Sequence, residues 1–284
     1  MSELEVTLQS MHLHPVKSCA GIAVRESLIV ETGLEFDRAW MVVDEQGEFL
    51  SQRVLPKLQL VTPTLRLNDV VLRAPGMLAL HLALDAVDQA CRVRVWDDWV
   101  NAWDMGGLAA QWFSDYLGRK VRLARFDPEV RRLAEPKWTG ELQARTAFSD
   151  GFPLLLVSTA SLAELNRRLL AQGHESVAVE RFRPNLVIDG LRDAHAEDFI
   201  HEIVFATPEG EVRLRLVKPC ARCTIPDVDP RGGEQGHAVA DTLAAYRADA
   251  RFGGGLTFGM NAVIVEGIDR TLRVGLRGVA SLRF

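Results

Sequence analysis

The chain is poor in cysteine, with four in 284 residues, at positions 19, 91, 220 and 223. Four thiols cannot staple so long a chain into a disulfide scaffold, and a reducing compartment would keep them free. Each therefore has to be explained as core filler or as chemistry. An excess of positive charge is also missing: 33 Lys+Arg stand against 38 Asp+Glu, a formal net charge of −5. That balance argues against general nucleic-acid or anionic-membrane binding, so any anion the protein takes must meet a local pocket. No apolar run approaches the roughly 20 residues of a spanning helix. The opening Met1-Ser2-Glu3-Leu4-Glu5-Val6 lacks the basic and apolar regions of a secretory signal. The expected setting is the bacterial-type cytoplasm, with no membrane partner. There is no internal repeat, and the seven histidines are scattered.

The chain does have short β-rich runs set between turn signals, at 5–8, 27–30, 40–43, 65–67 and 91–96. Residues 108–117 place Leu108, Trp112, Phe113 and Tyr116 on one helical face, and Gly118 stands where a helix commonly ends. The apolar run 154–157 reads as a buried strand feeding a helix, with Ser158 and Ser161 as start candidates. Further strands are expected at 186–188, 202–205 and 212–217, then a helix at 242–247 and a last strand at 261–265. Gly253-Gly254-Gly255 reads as a mobile loop. His12 and His14, at alternate positions of a strand, would share a face. These elements give an α+β chain, mixed and largely antiparallel, without regular βαβ alternation.

The sharpest chemical feature is Lys218-Pro219-Cys220-Ala221-Arg222-Cys223-Thr224-Ile225-Pro226-Asp227. A structural zinc site needs about four ligands, and neither Cys19, Cys91 nor a spaced histidine pair accompanies the two thiols. A thioredoxin-like pair opens a helix, which Pro226 and Pro230 disfavour here. Both cysteines packing as small apolar residues at a strand end remains a further reading.

Several blocks in order decide among these. They are His14-Pro15-Val16-Lys17-Ser18-Cys19, Phe36-Asp37-Arg38-Ala39-Trp40, Gln52-Arg53-Val54-Leu55-Pro56, Phe148-Ser149-Asp150, Ser158-Thr159-Ala160-Ser161, Arg181-Phe182-Arg183-Pro184-Asn185, Cys220-Ala221-Arg222-Cys223, Val228-Asp229-Pro230 and Phe258-Gly259. In them the chain resembles the MOSC proteins over nearly its whole length. Within that family it is similar to the group of the mitochondrial amidoxime-reducing components and their bacterial relatives. The resemblance implies a β-barrel-like core with flanking helices, divided into a strand-rich N-terminal domain at 1–125 and a MOSC domain at 126–284.

It also implies a cofactor, molybdenum-molybdopterin, with Cys223 as metal ligand and catalytic centre. Soft thiolate is the matching side chain for a sulfur-rich metal sphere. Lys17, Ser18, Arg38, Asp150, Gly151, Arg183, Asn185 and Arg222 are the implied cradle for the pterin and its phosphate, with Arg222 also favouring the Cys223 thiolate. Cys220 is expected to be structural. The implied reaction is reduction of N-hydroxylated small molecules, amidoximes and hydroxylamine-type bases. Because no iron–sulfur ligand set or dinucleotide fingerprint is present, electrons are expected from a separate protein, a flavin reductase with a ferredoxin-type or haem carrier. The family is also associated with pyridoxal phosphate binding. The alternative is a sulfur carrier or molybdopterin-binding module for metallocofactor assembly, with Cys223 as persulfide or ligand.

Overall fold

The computed structural model describes residues 3–283. Seven strands close a mixed barrel in the order Leu154–Ser158, Leu186–Asp189, Glu3–Leu13, Arg277–Leu282, Ile200–Thr207, Gly210–Ala221 and Gly255–Glu266. The last pairs back onto Leu154–Ser158, with Leu156 opposite Met260. Only the contact between Leu154–Ser158 and Leu186–Asp189 is parallel; the other barrel pairings are antiparallel.

Alternation builds this wall. Along Gly210–Ala221, Val212, Leu214 and Leu216 point inward and are buried, while Arg213 and Arg215 face outward and meet Glu202 on the adjacent strand. Leu8, Met11, Ile188, Ile203, Phe205 and Met260 fill the interior with them.

A second, strand-rich region packs beside the barrel. It holds a four-stranded antiparallel sheet in the order Trp40–Val43, Arg122–Phe126, Asp98–Asp104, Gln89–Val95, and a meander of Thr62–Leu65, Asp69–Arg73 and Leu80–Ala83. The helix Gly106–Leu117 lays Trp112 and Phe113 against Trp40, Leu58, Val70 and Leu72, and ends at Gly118 with φ 69°. The segment after Glu3–Leu13 crosses to this sheet. There Lys17 N–H donates to the Trp40 carbonyl at 2.7 Å and Arg38 N–H to the His14 carbonyl at 2.9 Å. The sheet and the barrel therefore share a seam.

The α+β, largely antiparallel architecture is as expected, and three details differ. The helix expected at 242–247 runs Ala238–Ala244, about one turn earlier, because the Asp227 carboxylate caps Val239 N–H and Ala240 N–H from outside the segment. Strand 261–265 begins at Gly255 and is not the last. Thr271–Arg273 and Arg277–Leu282 follow it, the latter specified by its two neighbours in the barrel more than by its own alternation. His14 lies beyond the end of the strand that carries His12. Its Nε2–H donates to the Pro184 carbonyl at 3.1 Å and braces the seam, while burial and then the Arg183 and Arg38 charges hold its pKa well below the ordinary value.

Candidate functional site

At the seam lies an open cleft with an empty volume of about 800 Å³. All nine residues singled out from sequence line it: Lys17, Ser18 and Arg38 from one side, and Asp150, Gly151, Arg183, Asn185, Arg222 and Cys223 from the other. Five cationic side chains and a single carboxylate face the space, which makes a positive pocket in a net-negative chain.

Lys17 is buried at the floor. Its Nζ donates to the Phe148 carbonyl at 2.7 Å and to Asp150 Oδ1 at 2.5 Å. Burial lowers its pKa, and the Asp150 charge opposes that. Desolvation works to raise the Asp150 pKa. The Lys17 charge and hydrogen bond, with the Trp96 indole N–H, overcome it and hold this carboxylate well below the usual range. The loop carrying Asp150 and Gly151 is fixed from behind by Arg132, which donates to the carbonyls of Ala147, Ser149 and Asp150 and pairs with Asp98 at 2.8 Å.

Arg38 is a strut more than a free cation. Its fork donates to Asp37, to Asn185 Oδ1 at 3.1 Å and to the Arg183 carbonyl at 2.9 Å. Asn185 is held besides by Leu155 N–H and the His12 carbonyl. Arg183 is only 9% exposed; its Nη1 donates to the Cys19 carbonyl, while Nη2 has no partner among the described residues. Burial first, then the Arg38 charge, depresses its pKa to about 10, so it remains a cation. A buried guanidinium nitrogen with nothing to bond is costly unless an acceptor enters the cleft.

The strand Gly210–Ala221 delivers the cysteines. Its pairing with Gly255–Glu266 shifts register three times, the last between Pro219 and Ala221. Such bulges accommodate Pro219 and re-aim the following side chains. Arg222 Nη1 lies 3.0 Å from Cys220 Sγ and Nη2 donates to the Phe182 carbonyl at 2.7 Å. The hydrogen-bond contact of Arg222 is therefore with Cys220, which reaches the cleft wall instead of packing only as filler. Cys223 is exposed just beyond the strand and is followed by a single tight turn, Ile225–Asp227. By contrast Cys19 is buried, and desolvation pushes its thiol up to about 12.

The backbone adds a feature that side-chain patterns did not reveal. Ser18 (φ 68°), Arg38 (φ 49°), Arg183 (φ 55°) and Trp96 (φ 56°) all occupy the left-handed region without being glycine. Strain of this kind concentrates at functional sites, where the surroundings over-determine it. Sequence reading also missed Phe49, Ser51, Arg53 and Asn261 in the wall and Arg132 behind it. Arg53 stood within a recognised block, whereas Arg132 gave no signal at all.

The model described as "MOSC N-terminal beta barrel domain" matches residues 5–120. The one described as "MOSC domain" matches residues 143–276. The chain is 34% identical over 253 residues to rat mitochondrial amidoxime reducing component 2, covering 85% of this chain and 72% of that protein. Identity to human mitochondrial amidoxime-reducing component 1 is 32% over 252 residues, with the same shares covered. To bovine molybdenum cofactor sulfurase it is 30% over 257 residues, covering 84% of this chain but 29% of that protein.

Proposed function

The chain belongs to the MOSC family, and from that membership we propose that its cleft holds molybdenum-molybdopterin and reduces N-hydroxylated small molecules such as amidoximes. The observation that carries this reading is the convergence of an exposed thiol and five cations on one cleft. The residues fit such a group. A phosphate would give Arg183 Nη2 the acceptor it lacks, and the Asp150 carboxylate suits the amino and ring N–H groups of a pterin, while Asn185, whose oxygen already accepts from Arg38 and Leu155, would hold Arg38 in place. Residues 1–125 supply Lys17, Ser18 and Arg38, and residues 126–284 the remainder, so the cofactor would be held between the two parts of the chain.

When bound, the metal supplies the two-electron chemistry that removes oxygen from the substrate. The chain's own share is to present the Cys223 sulfur as ligand, to keep the site positively charged through Arg183 and Arg222, and to leave the mouth of the cleft open. Reduction of a neutral amidoxime yields a strongly basic amidine, which takes up a proton in water. Lys17 and Arg38 are paired with Asp150 and Asp37 and the cofactor phosphate would offset further charge, but the remaining arginines still disfavour a cationic product. Benzamidine should accordingly inhibit weakly, with an inhibition constant well above the KM for benzamidoxime, and a lower constant would count against this account of release. Electrons come from a separate carrier protein, a flavin reductase with a ferredoxin-type or haem carrier.

The test is elemental. Protein made in a host that synthesises molybdopterin should carry about one molybdenum per chain and the fluorescence of oxidised pterin. Cys223→Ala should lose both metal and amidoxime reduction, while Cys220→Ala keeps a measurable part of each. Stoichiometric zinc without pterin would sink the proposal. Similarity to the bovine molybdenum cofactor sulfurase, together with the exposure of Cys223, favours one second reading, a persulfide carrier for cofactor assembly. Under this second reading the present chain would carry labile sulfur on Cys223 and no molybdenum.

A further inference from the structure

Five cations line the cleft, more positive charge than the single phosphate ester of a pterin cofactor requires. Most are already engaged. Lys17 is tied to Phe148 and Asp150, Arg38 to Asp37, Asn185 and Arg183, and Arg222 to Cys220 and Phe182. Arg183 has one nitrogen bonded to Cys19 and one free.

Arg53 differs from all four. Its Nε donates to Ser51 Oγ at 3.3 Å, and among the described residues neither terminal nitrogen has a hydrogen-bond or carboxylate partner. The guanidinium lies 4.4 Å over the Trp96 ring and 5.9 Å from the centre of Phe49. Trp96 is itself held, with its indole N–H on Asp150 at 3.1 Å and its ring edge-on to Phe49 at 5.1 Å. Stacking fixes the plane of a guanidinium without using its N–H groups. The result is a half-buried fork whose terminal donors are free, set over an aromatic ring with the Asp150 carboxylate close enough to feel its charge, and a guanidinium so placed can grip a planar anion through two parallel hydrogen bonds.

We infer that Arg53, seated over the Trp96 ring, is a specificity-determining residue of the cleft and selects planar small molecules that carry a carboxylate. The inference rests on the reading of the cleft as a small-molecule site. A carboxylate and a cofactor phosphate share the chemistry of a bidentate oxyanion, so the test must separate them.

The purified chain, with pterin assayed in every preparation, is titrated with benzoate, benzamide and benzamidine by calorimetry and by tryptophan emission. Benzoate should bind about tenfold or more tightly than uncharged benzamide, and benzamidine more weakly still. R53Q should erase the benzoate preference, and R53K, which keeps the charge without the fork, should retain part of it. W96F should lose most of the emission response, because the indole beneath the fork reports its occupation. In turnover, R53Q should raise KM for 4-carboxybenzamidoxime about tenfold more than for benzamidoxime. Equal affinity for the three ligands, or a benzoate preference that survives R53Q, overturns the inference. Loss of pterin from R53Q overturns it too, by assigning the fork to the cofactor. The binding measurement needs no turnover, so a chain found without molybdenum fails the function proposed above yet still decides the case of Arg53.

Discussion

Ser18 sits buried at φ 68° on the cleft floor, a conformation that costs a residue with a Cβ roughly 1–2 kcal/mol. Glycine would hold it without that strain, at the expense of some unfolded-state entropy. Ser18→Gly should therefore raise the thermal midpoint, by about 2 °C for a net gain near 1 kcal/mol, while weakening retention of the cofactor that the Ser18 hydroxyl is proposed to contact. A lowered midpoint would show that the serine side chain is worth more to the fold than the strain. At this scale the sequence spoke through residue type and block. The nine side chains that the family resemblance implied do line one cleft, although nothing in their spacing along the chain would have brought them together. The sequence was silent on Arg132, whose importance comes from three carbonyls contributed by a loop 15 to 18 residues later in the chain. It was silent as well on the left-handed backbone of Arg38 and Arg183, since nothing in an arginine announces positive φ.

At the level of elements, the barrel depends on how Gly255–Glu266 meets Leu154–Ser158. Gly259 has φ 75°, and a Cβ there would stand 2.6 Å from the Leu156 carbonyl oxygen, a backbone atom that cannot swing away. Gly259→Ala should cost at least about 3 kcal/mol, from the left-handed penalty and the forced separation of the strands. Denaturant unfolding reads that loss directly, and a change below 1 kcal/mol would mean that the closure is looser than it looks. The helix Thr159–Ala171 has a comparable anchor in Glu197, fully buried, which accepts from Ser158 N–H, Ser158 Oγ and Ser161 Oγ. Glu197→Ala strands those donors and should cost about 3 kcal/mol, against about 1 for Glu197→Gln, which keeps an acceptor oxygen. The sequence disclosed Ser158 as the cap but not the acid behind it. It misplaced the start of Ala238–Ala244 for the same reason, since in both cases the deciding carboxylate is remote in sequence.

For the molecule as a whole, acid stability should bear the mark of His195. Its ring packs between Tyr246 and Phe258 at 5.5 and 5.8 Å, and neither nitrogen finds a partner among the described residues. Burial, and then the Arg247 charge, lowers its pKa from 6.5 to about 4. A folded pKa below the unfolded one means that the unfolded chain binds the extra proton, so stability is complete above pH 6.5 and falls as the pH drops toward 4. The lowered pKa values of His12 and His14 act in the same direction. Those of Glu197 and Asp198, raised by burial, act oppositely, their contribution being lost as pH rises. Asparagine tolerates the left-handed backbone at this position (φ 64°), so His195→Asn should flatten the fall of thermal midpoint between pH 6.5 and 4. Parallel slopes for the two proteins would move the effect to another group. The barrel also carries a consequence in time. Glu3–Leu13 lies between Leu186–Asp189 and Arg277–Leu282, so a ribosome adding roughly 5–20 residues per second finishes those partners only tens of seconds after making this strand. For that interval only Met11–Leu13 can pair early, with Ile22–Val24, and the rest of the nascent ribbon stands without either barrel neighbour, an open strand edge to other chains nearby.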